Sequence, residues 1–600
     1  MQGPMPGRSP FVLLDDARGD GAADAHLFEK PRNVFVARRA AEVVGALDAA
    51  DAARSEGGTL AGYIAYEAGL ALEPKLSALA DVRTGSAGPL VWIGHFDEPR
   101  TISADEVSGW LSERAEGTVS LGPLAPQLSP GGYATAFEEL QAAIDAGDIY
   151  QANLTFPLAG SFRGDPLALY AALREDAMCG YGGVVFDGQH WLLSLSPELF
   201  FSLRDGEAKA KPMKGTRPRA SDPAVDRALA EQLAQSAKDK AENLMIVDLM
   251  RNDLSRVAER GSVRVEAPFA IESYPTVHQM VTTVRARLAG GHTAMDMVRA
   301  LFPCGSITGA PKIRAMELIG EVERDARGPY CGAIGRIGPD GDAAFNVAIR
   351  TLRLTEIENR QGTAVLGVGS AIVADSQAMA EWRESLVKAG FAERSAAAFD
   401  LIEAMRFDPE DGIALLELHL ERLKTSARAL GFAFDRHAAR NRIQALCFEL
   451  EAPAKVRLLL ARSGATALEA QPLGEIPTNV ACIALAQPVD AGDLRIAHKT
   501  TDRWFYDAGR DAAKAFGADD ALFVRDDGLV TEAMSATVFV ESDGLLLTPP
   551  ASLGLLPGVL RRSLLDSGRA RETELSLDDL ADGFLVGNAV RGLIPARLLP

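Results

Sequence analysis

The first residue whose type and surroundings could do chemistry is Lys214. It sits in the run Lys211-Pro-Met-Lys-Gly-Thr-Arg-Pro-Arg219, with Lys209 just before it. Each neighbouring positive charge penalises protonation of one more amine, so the run is expected to lower the Lys214 pKa and favour the neutral nucleophile. Asp205-Gly206, flanked by short alternating runs, signals a hairpin upstream, which places Lys214 at a strand end entering a loop. Gly215 then allows a tight turn. Taken alone, a basic run of this kind is more often a solvated loop or a plain anion clamp.

Other stretches hold complementary groups. Ser196-Pro-Glu198 ends the apolar run Trp191 to Leu195, where burial would raise the Glu198 pKa and let it deliver a proton near neutrality. Alone, a Glu after Pro at a strand end is more often an exposed turn residue. Asp239 to Leu254 reads as a helix, with Leu244, Val247, Leu254 and Val257 available to a core. Ser376 can cap a second helix carrying Glu381 and Glu384, whose i, i+3 spacing puts both on one face. Carboxylates from two helices around a hard cation suit Mg²⁺; beside Arg383 and Lys388 they also suit a salt-bridged surface. Pro303-Cys-Gly-Ser-Ile-Thr-Gly-Ala-Pro-Lys312 offers a Gly-rich turn, with Pro311 at the first position of a helix, hence an anion site. It lacks the Gly-Lys-Ser/Thr ending of a Walker loop, and a dicarboxylate suits it better.

The elements that must position these groups belong to more than one core, since 600 residues exceed a single one. Hairpin signals at Asp187-Gly188, Asp205-Gly206 and Asp340-Gly341 make the region after Tyr133 strand-rich with helices around it, an α+β sandwich. A Pro/Gly/Ser-rich segment from Glu116 to Gly132 marks a seam, and the domains are read as 1–125, 126–392 and 396–600. A net charge of −20 argues against nucleic acid as partner. Five scattered cysteines without a CxxC pair fit neither a disulfide framework nor a zinc site. The first ten residues lack an apolar signal core and no apolar run can span a bilayer, so a cytoplasmic location is expected.

The motifs together resemble the chorismate-utilising enzymes, the family of anthranilate, isochorismate and salicylate synthases and the large subunit of aminodeoxychorismate synthase. Gly62-Tyr-Ile-Ala-Tyr-Glu67 is similar to an N-terminal element of that family, and Gly147 to Leu154 to the opening of its core. The resemblance implies a sandwich of antiparallel sheets with helices. It gives Lys214 as a covalent nucleophile, of the type found where chorismate is aminated at C4, and Glu198 as the general acid for the departing hydroxyl. It gives Glu242, in Ala241-Glu-Asn-Leu-Met-Ile-Val-Asp, and Glu384 with Glu381 on the same helix, in Ile372-Val-Ala-Asp-Ser-Gln-Ala-Met-Ala-Glu-Trp-Arg-Glu-Ser385, to Mg²⁺. His278, in Ser273-Tyr-Pro-Thr-Val-His-Gln-Met280, becomes a substrate contact, as do Thr308, Tyr330, Arg350, Gly369 and Ser370. Ala371 stands where the family usually has a further glycine.

After Gly390 the motifs change. His419-Leu-Glu-Arg-Leu423, Lys499-Thr-Thr-Asp-Arg503, Val530 to Phe539 and Leu556-Pro-Gly-Val-Leu-Arg561 resemble, in order and spacing, the class IV pyridoxal-phosphate enzymes with their α/β fold. The resemblance gives Lys499 the Schiff base, Arg422 a phosphate contact, and Glu532 the place opposite the pyridinium nitrogen. Gly558, Val559, Asn588 and Ala589 would add backbone donors to the phosphate. Thr537 stands where the family has Asn, Met534 where it has a small residue, and the domain starts short.

Consecutive steps on one chain are therefore expected: chorismate and ammonia to 4-amino-4-deoxychorismate, then loss of pyruvate to 4-aminobenzoate for folate. The expected cofactors are Mg²⁺ and pyridoxal 5'-phosphate. No glutaminase-like nucleophilic Cys is found, so ammonia is expected from a separate glutamine amidotransferase subunit. A homodimer through the C-terminal domain stays open. The competing readings are an anthranilate synthase large chain, and a single-function synthase with a non-catalytic C-terminal domain.

Overall fold

The computed structural model describes residues 9–19, 21–83, 88–117, 119–220, 222–274, 277–392 and 399–599. Pro275 and Thr276, the boundary between 392 and 396, and the first eight residues lie outside them. The chain divides into two compact units, Met1–Ala397 and Ala398–Pro600. No helix among the described residues is long and apolar enough to cross a membrane, and the five cysteines are free thiols.

In the first unit the described strands form two antiparallel sheets. One runs, from edge to edge, Gly309–Ala310, Gln151–Arg163, Gln361–Ile372, Thr351–Glu358, Trp191–Ser196, Tyr181–Phe186, Phe11–Asp15, Ala25–Glu29 and Arg100–Ile102. The other runs Met213–Pro218, Val277–Arg287, Glu207–Ala210, Leu199–Arg204, Ala343–Val347, Ala333–Ile337, Thr59–Ile64, Val91–Phe96 and Asn33–Ala37, with Arg264–Ser273 also on Val277–Arg287. Alternating side chains let each sheet face the other, and Val12, Phe28, Val185 and Leu192 meet Tyr63, Trp92, Phe96 and Ile334 in one cluster. Strands from before residue 125 complete one edge of each sheet, and the Glu116 to Gly132 segment supplies two short strands along Gln151–Arg163.

Helices cover the outer faces. Ala40–Ser55, Ala237–Ser255 and Ala294–Leu301 pack their apolar sides on the second sheet, while Pro130–Asp145 and Ala378–Val387 cover the first through Tyr133, Phe156 and Trp382. On Ala237–Ser255, Val247 and Leu254 are buried and Leu244 is exposed, so the expected stripe is one residue narrower. The second acidic helix starts after Gln377, because Ser376 spends its hydroxyl on the Val373 amide and on Glu381 instead of capping. Pro311 is the residue before the helix Lys312–Val322 and not its first turn.

All three hairpin signals of this unit mark turns between paired antiparallel strands. At Asp205-Gly206 both residues have positive φ, the conformation a two-residue hairpin requires.

A fully buried ion pair joins the elements around the crossovers. Arg327 Nη2 lies 2.7 Å from Glu323 Oε1, and the guanidinium also donates to the carbonyls of Ile307 and Asn153. Glu323 accepts the Thr155 amide, and Glu67 accepts the amides of Arg327 and Gly328. Removing one partner strands the other charge away from water. Glu323→Gln is expected to lower stability by roughly 3–5 kcal/mol in denaturant unfolding; a loss within about 0.5 kcal/mol, as for an ordinary surface substitution, would sink this account.

The second unit has an antiparallel sheet, Gly412–Ile413, Leu401–Asp408, Ala454–Leu460 and Thr466–Pro472, and a mixed sheet. In the mixed sheet Val480–Ala486 pairs in parallel with both Asp520–Val524 and Gly592–Leu598. Helices Leu416–Leu430, Trp504–Ala515 and Val559–Asp566 pack on these strands.

Candidate functional site

Lys214 lies inside the strand Met213–Pro218 and not in a loop. The strand bulges between Met213 and Thr216 against Val277–Arg287, and a bulge re-aims the side chain it carries. Gly215, at φ +86°, completes it; a Cβ there would come 2.9 Å from Asp239, so the missing side chain admits the helix Ala237–Ser255. One turn further, that helix carries Glu242.

The amine is disfavoured as an ammonium, though not by its sequence neighbours. Lys211 pairs with Glu272 at 2.6 Å, Arg217 with Asp239 at 3.0 Å and Arg219 with Asp226 at 2.8 Å. Burial lowers the Lys214 pKa, aided by Lys388 and opposed by Glu198, Glu242 and Glu384. Those four groups come from three other elements and define the site.

Glu198 stands where the chain leaves one sheet for the other, between Trp191–Ser196 and Leu199–Arg204. A second crossover runs beside it: Ser196 Oγ donates to the Val347 carbonyl at 2.6 Å, and the Leu195 amide to the Arg350 carbonyl at 3.0 Å. The Glu198 side chain is 5 % exposed, and its Oε1 has no hydrogen-bond partner. Burial pushes its pKa up to about 7, against the hydroxyl of Ser306 and the charge of Lys214. A carboxyl that keeps its proton near neutrality thus faces an amine that sheds one.

Of the expected metal ligands, Glu242 and Glu384 both face Lys214, and Glu381 is turned to Ser376. Glu384 lies 2.8 Å from Lys388 Nζ, and Glu381 accepts from Ser376 at 2.7 Å. Burial alone would raise Glu384, but Lys388, Lys214 and Lys238 hold it below the usual carboxylate range; Glu242 is raised, chiefly by burial. Among the described residues no three His, Cys, Asp or Glu side chains are arranged to hold a metal ion. Lys214 and Lys238 act on both Glu242 and Glu384, and Lys388 on Glu384.

The expected substrate contacts divide. Gly369 and Ser370 reach the site: the Gly369 carbonyl accepts from Lys388, and Ser370 lies against Tyr133 and the Glu381 carbonyl. Ala371 keeps regular pairing with Asn153, so the absent glycine costs no register. Thr308 is buried, its hydroxyl closing the turn onto the Cys304 and Gly305 carbonyls, next to the Ser306 that touches Glu198. Arg350 sits at the second crossover. Tyr330 packs on Gly367, two residues before Gly369 on the same strand, and lines a cavity of ≈ 40 Å³ with Arg327 and Arg353. His278 is buried with both ring nitrogens engaged, Nδ1 by Ser273 at 2.8 Å and Nε2 by Asp226 at 3.0 Å, which leaves neither for a ligand. In the anion loop Lys312 is spent on Asp253 and two carbonyls.

In the second unit a cavity of ≈ 730 Å³ gathers Lys499, Arg422, Glu532, Gly558, Val559, Asn588 and Ala589. Burial, Arg422 and Arg503 bring the Lys499 pKa down to about 8. Glu532 is buried and pushed up to about 7 by desolvation, with Tyr506 donating to Oε1 at 2.5 Å and the Leu556 amide to Oε2 at 3.1 Å. Arg422 gives its bidentate edge to Glu403 and reaches the Pro557 carbonyl, next to the uncapped N-terminus at Gly558. A Cβ on Gly558 would come 2.8 Å from Thr537 Oγ1. Backbone amides bare of side chain, a free lysine amine and a buried acid facing one cavity fit pyridoxal phosphate. Asn588 turns its side chain inward onto the amides of Val590 and Arg591. Met534 fills the space left by Gly509, whose Cβ would overlap its sulfur.

Lys388, Ser306, Glu403 and Tyr506 were not legible as site residues. Glu403 and Arg422 are 19 residues apart with no local pattern between them; His419, within a quoted motif, could have been flagged, since its Nδ1 meets Glu403 at 2.6 Å.

Two antiparallel sheets joined at paired crossovers, with an amine and an acid held there, define a class of enzymes that act on chorismate. Residues 13–394 match the chorismate binding enzyme family, and the chain belongs to it. Residues 400–599 match amino-transferase class IV. Aminodeoxychorismate synthase component 1 of Klebsiella aerogenes is 44% identical over 256 residues, 43% of this chain and 56% of that protein. Anthranilate synthase component 1 of Streptomyces coelicolor is 42% identical over 251 residues, 41% and 47% of the two chains. The chain thus spans about half the length of these curated relatives. The crystal structure of anthranilate synthase component I from Streptococcus pneumoniae has a TM-score of 0.50 at 24% identity, covering 65% of this chain and 94% of that one, and shows the shared fold.

The Glu198 shift has a sign that can be checked. Its pKa is about 7 folded against 4.5 unfolded, so the stability it contributes is complete below pH 4.5 and lost as pH rises through 7. Glu198→Gln is expected to be more stable than the parent at pH 8 by up to about 3 kcal/mol, with the gain gone at pH 4. Thermal unfolding at the two pH values reads it, and an equal difference at both would refute the buried-acid account.

Proposed function

We propose that the chain makes 4-aminobenzoate from chorismate in two steps. The carrying observation is the facing of Lys214 and Glu198, each pushed by burial toward its neutral form. The relatives named aminodeoxychorismate synthase support amination as the first step. Lys214 adds through its amine at C2, Glu198 passes its proton to the departing C4 hydroxyl, and ammonia attacks C4 and expels the lysine. Lys388, on the Gly369 carbonyl of the strand Gln361–Ile372, lies where it can hold a substrate carboxylate. Ammonia comes from a separate glutamine amidotransferase subunit, which the component naming of the relatives favours, or from free ammonium. Glu242 and Glu384 face Lys214 together, and two carboxylates completed by water and substrate oxygens suit Mg²⁺.

The second step is elimination of pyruvate in the C-terminal cavity. Pyridoxal phosphate, when bound, supplies an electron sink. Lys499, about half neutral at pH 8, takes the proton from C4 as the enolpyruvyl oxygen leaves C3 and the ring becomes aromatic. Glu532, with the Tyr506 hydroxyl on it, holds a proton at the ring nitrogen. Arg422, fixed by Glu403, and the amides at Gly558 and Val559 hold the phosphate.

A second reading, anthranilate synthesis, draws on the 42% identical relative; Lys214 argues against it. A third, that the class IV domain is not catalytic, draws on Thr537 and Met534.

Product identification decides among them. Purified protein given chorismate, ammonium, Mg²⁺ and pyridoxal phosphate is expected to yield 4-aminobenzoate and pyruvate. Anthranilate instead would overturn the reading, and accumulated aminodeoxychorismate would confine it to the first step. Lys499→Ala is expected to lose pyruvate release and the visible absorbance of the bound coenzyme while still forming aminodeoxychorismate. Glu198→Gln should cut amination about 10²–10⁴-fold, and the parent rate should fall as pH rises above about 7, where the acid loses its proton.

A further inference from the structure

The C-terminal cavity carries the opposite charge to the chain around it. The chain has a net charge of −20, yet the cavity wall holds eight lysines and arginines against four carboxylates. Arg422 is matched by Glu403, and Arg495 by Asp493 at 2.6 Å. Lys499 belongs to the coenzyme. Five cations remain: Lys455, Arg457, Arg503, Arg510 and Arg591.

These five come from three places. Lys455 and Arg457 share a face of Ala454–Leu460, two residues apart. Arg503 caps the start of Trp504–Ala515, Arg510 lies two turns along the same helix, and Arg591 follows the strand Phe584–Asn588. Their counter-charges are few: Asp507 serves Arg510 at 3.1 Å and Arg503 at 4.0 Å, and Arg457 meets Glu469 at 3.3 Å. Arg591 donates to the Ser535 hydroxyl. Burial and the fields of all four arginines lower the Lys455 pKa, which puts the five within electrostatic reach of one another. Like charges focused in a cleft draw an anion into it. The coenzyme phosphate has its own cradle at Gly558 and Arg422, so this second group of cations is surplus to it.

We propose that Lys455, Arg457, Arg503, Arg510 and Arg591 form a carboxylate-binding rim that selects dicarboxylate substrates over monocarboxylate amino acids. The inference rests on the reading of this cavity as a pyridoxal-phosphate site. It extends that reading by naming the residues that separate a lyase for a ring dicarboxylate from a general aminotransferase.

The test uses the full chain loaded with pyridoxal phosphate, titrated with benzene-1,3-dicarboxylate and with benzoate and followed by the coenzyme absorbance. The dicarboxylate is expected to bind about tenfold tighter or more, the equivalent of one charge-assisted hydrogen bond. Lys455→Met and Arg457→Gln, and Arg510→Gln on a separate element, should each shrink that ratio toward one while keeping the coenzyme spectrum, which certifies the fold. Equal binding of the two probes, or a ratio unchanged in all three variants, overturns the rim. Failure of the lyase reading looks different: the preference for the dicarboxylate would persist with no pyruvate released from aminodeoxychorismate. Pyruvate release with a KM unaffected by the three substitutions would instead sink the rim and leave the lyase.

Discussion

The buried contact between Glu323 and Arg327 is the constraint on which the first unit turns. Two charges taken out of water are costly unless every remaining donor and acceptor is matched. Here the guanidinium donates to the Ile307 and Asn153 carbonyls, the carboxylate accepts the Thr155 amide, and Glu67 receives the amides of Arg327 and Gly328. Arg327 also lies over the Tyr66 ring at 4.3 Å. The network stitches the N-terminal strand region, the turn that carries Ser306 and Thr308, and the long strand beside Gly369. Ser306 touches Glu198, so the acid inherits its position from an ion pair it never meets.

Both candidate sites use one physical device. Each sets a lysine and a carboxylic acid in a poorly solvated space and moves both toward the uncharged form. In the first unit these are Lys214 and Glu198, and in the second Lys499 and Glu532. Attraction between the partners works against desolvation in each case, so depth of burial decides the balance. The second pair is surrounded by cations and the first by a mixture of ammonium and carboxylate groups. The two halves therefore share a principle of activation while offering different fields to a ligand.

Much of the architecture was legible in local signals. The Asp-Gly pairs marked hairpins because two-residue turns demand positive φ, and short apolar runs such as Phe11 to Leu14 and Trp191 to Leu195 became strands. The motif resemblances named Glu198 and Lys214, which the fold brings together, and Lys499 and Glu532, which line one cavity. What failed was anything that depended on distant partners. Lys211, Arg217 and Arg219 are answered by Glu272, Asp239 and Asp226, which only strand register and helix packing bring near. The same applies to His278, engaged by Ser273 across a strand pair and by Asp226 from a helix. The bulge at Gly215 turned a residue expected in a loop into one held by a sheet.

Met534 and Gly509 carry a lesson about how such a domain can change. The methionine occupies the volume a side chain at 509 would need, from a different element and 25 positions away in sequence. Neither position is free to vary alone: a larger residue at 509 displaces a buried thioether, and a smaller one at 534 opens a void beside a bare glycine. Any route between this wall and one with a small residue at 534 must pass through one of those two states. The pair behaves as a single heritable unit, and its history is constrained by the order of steps as well as by their end points.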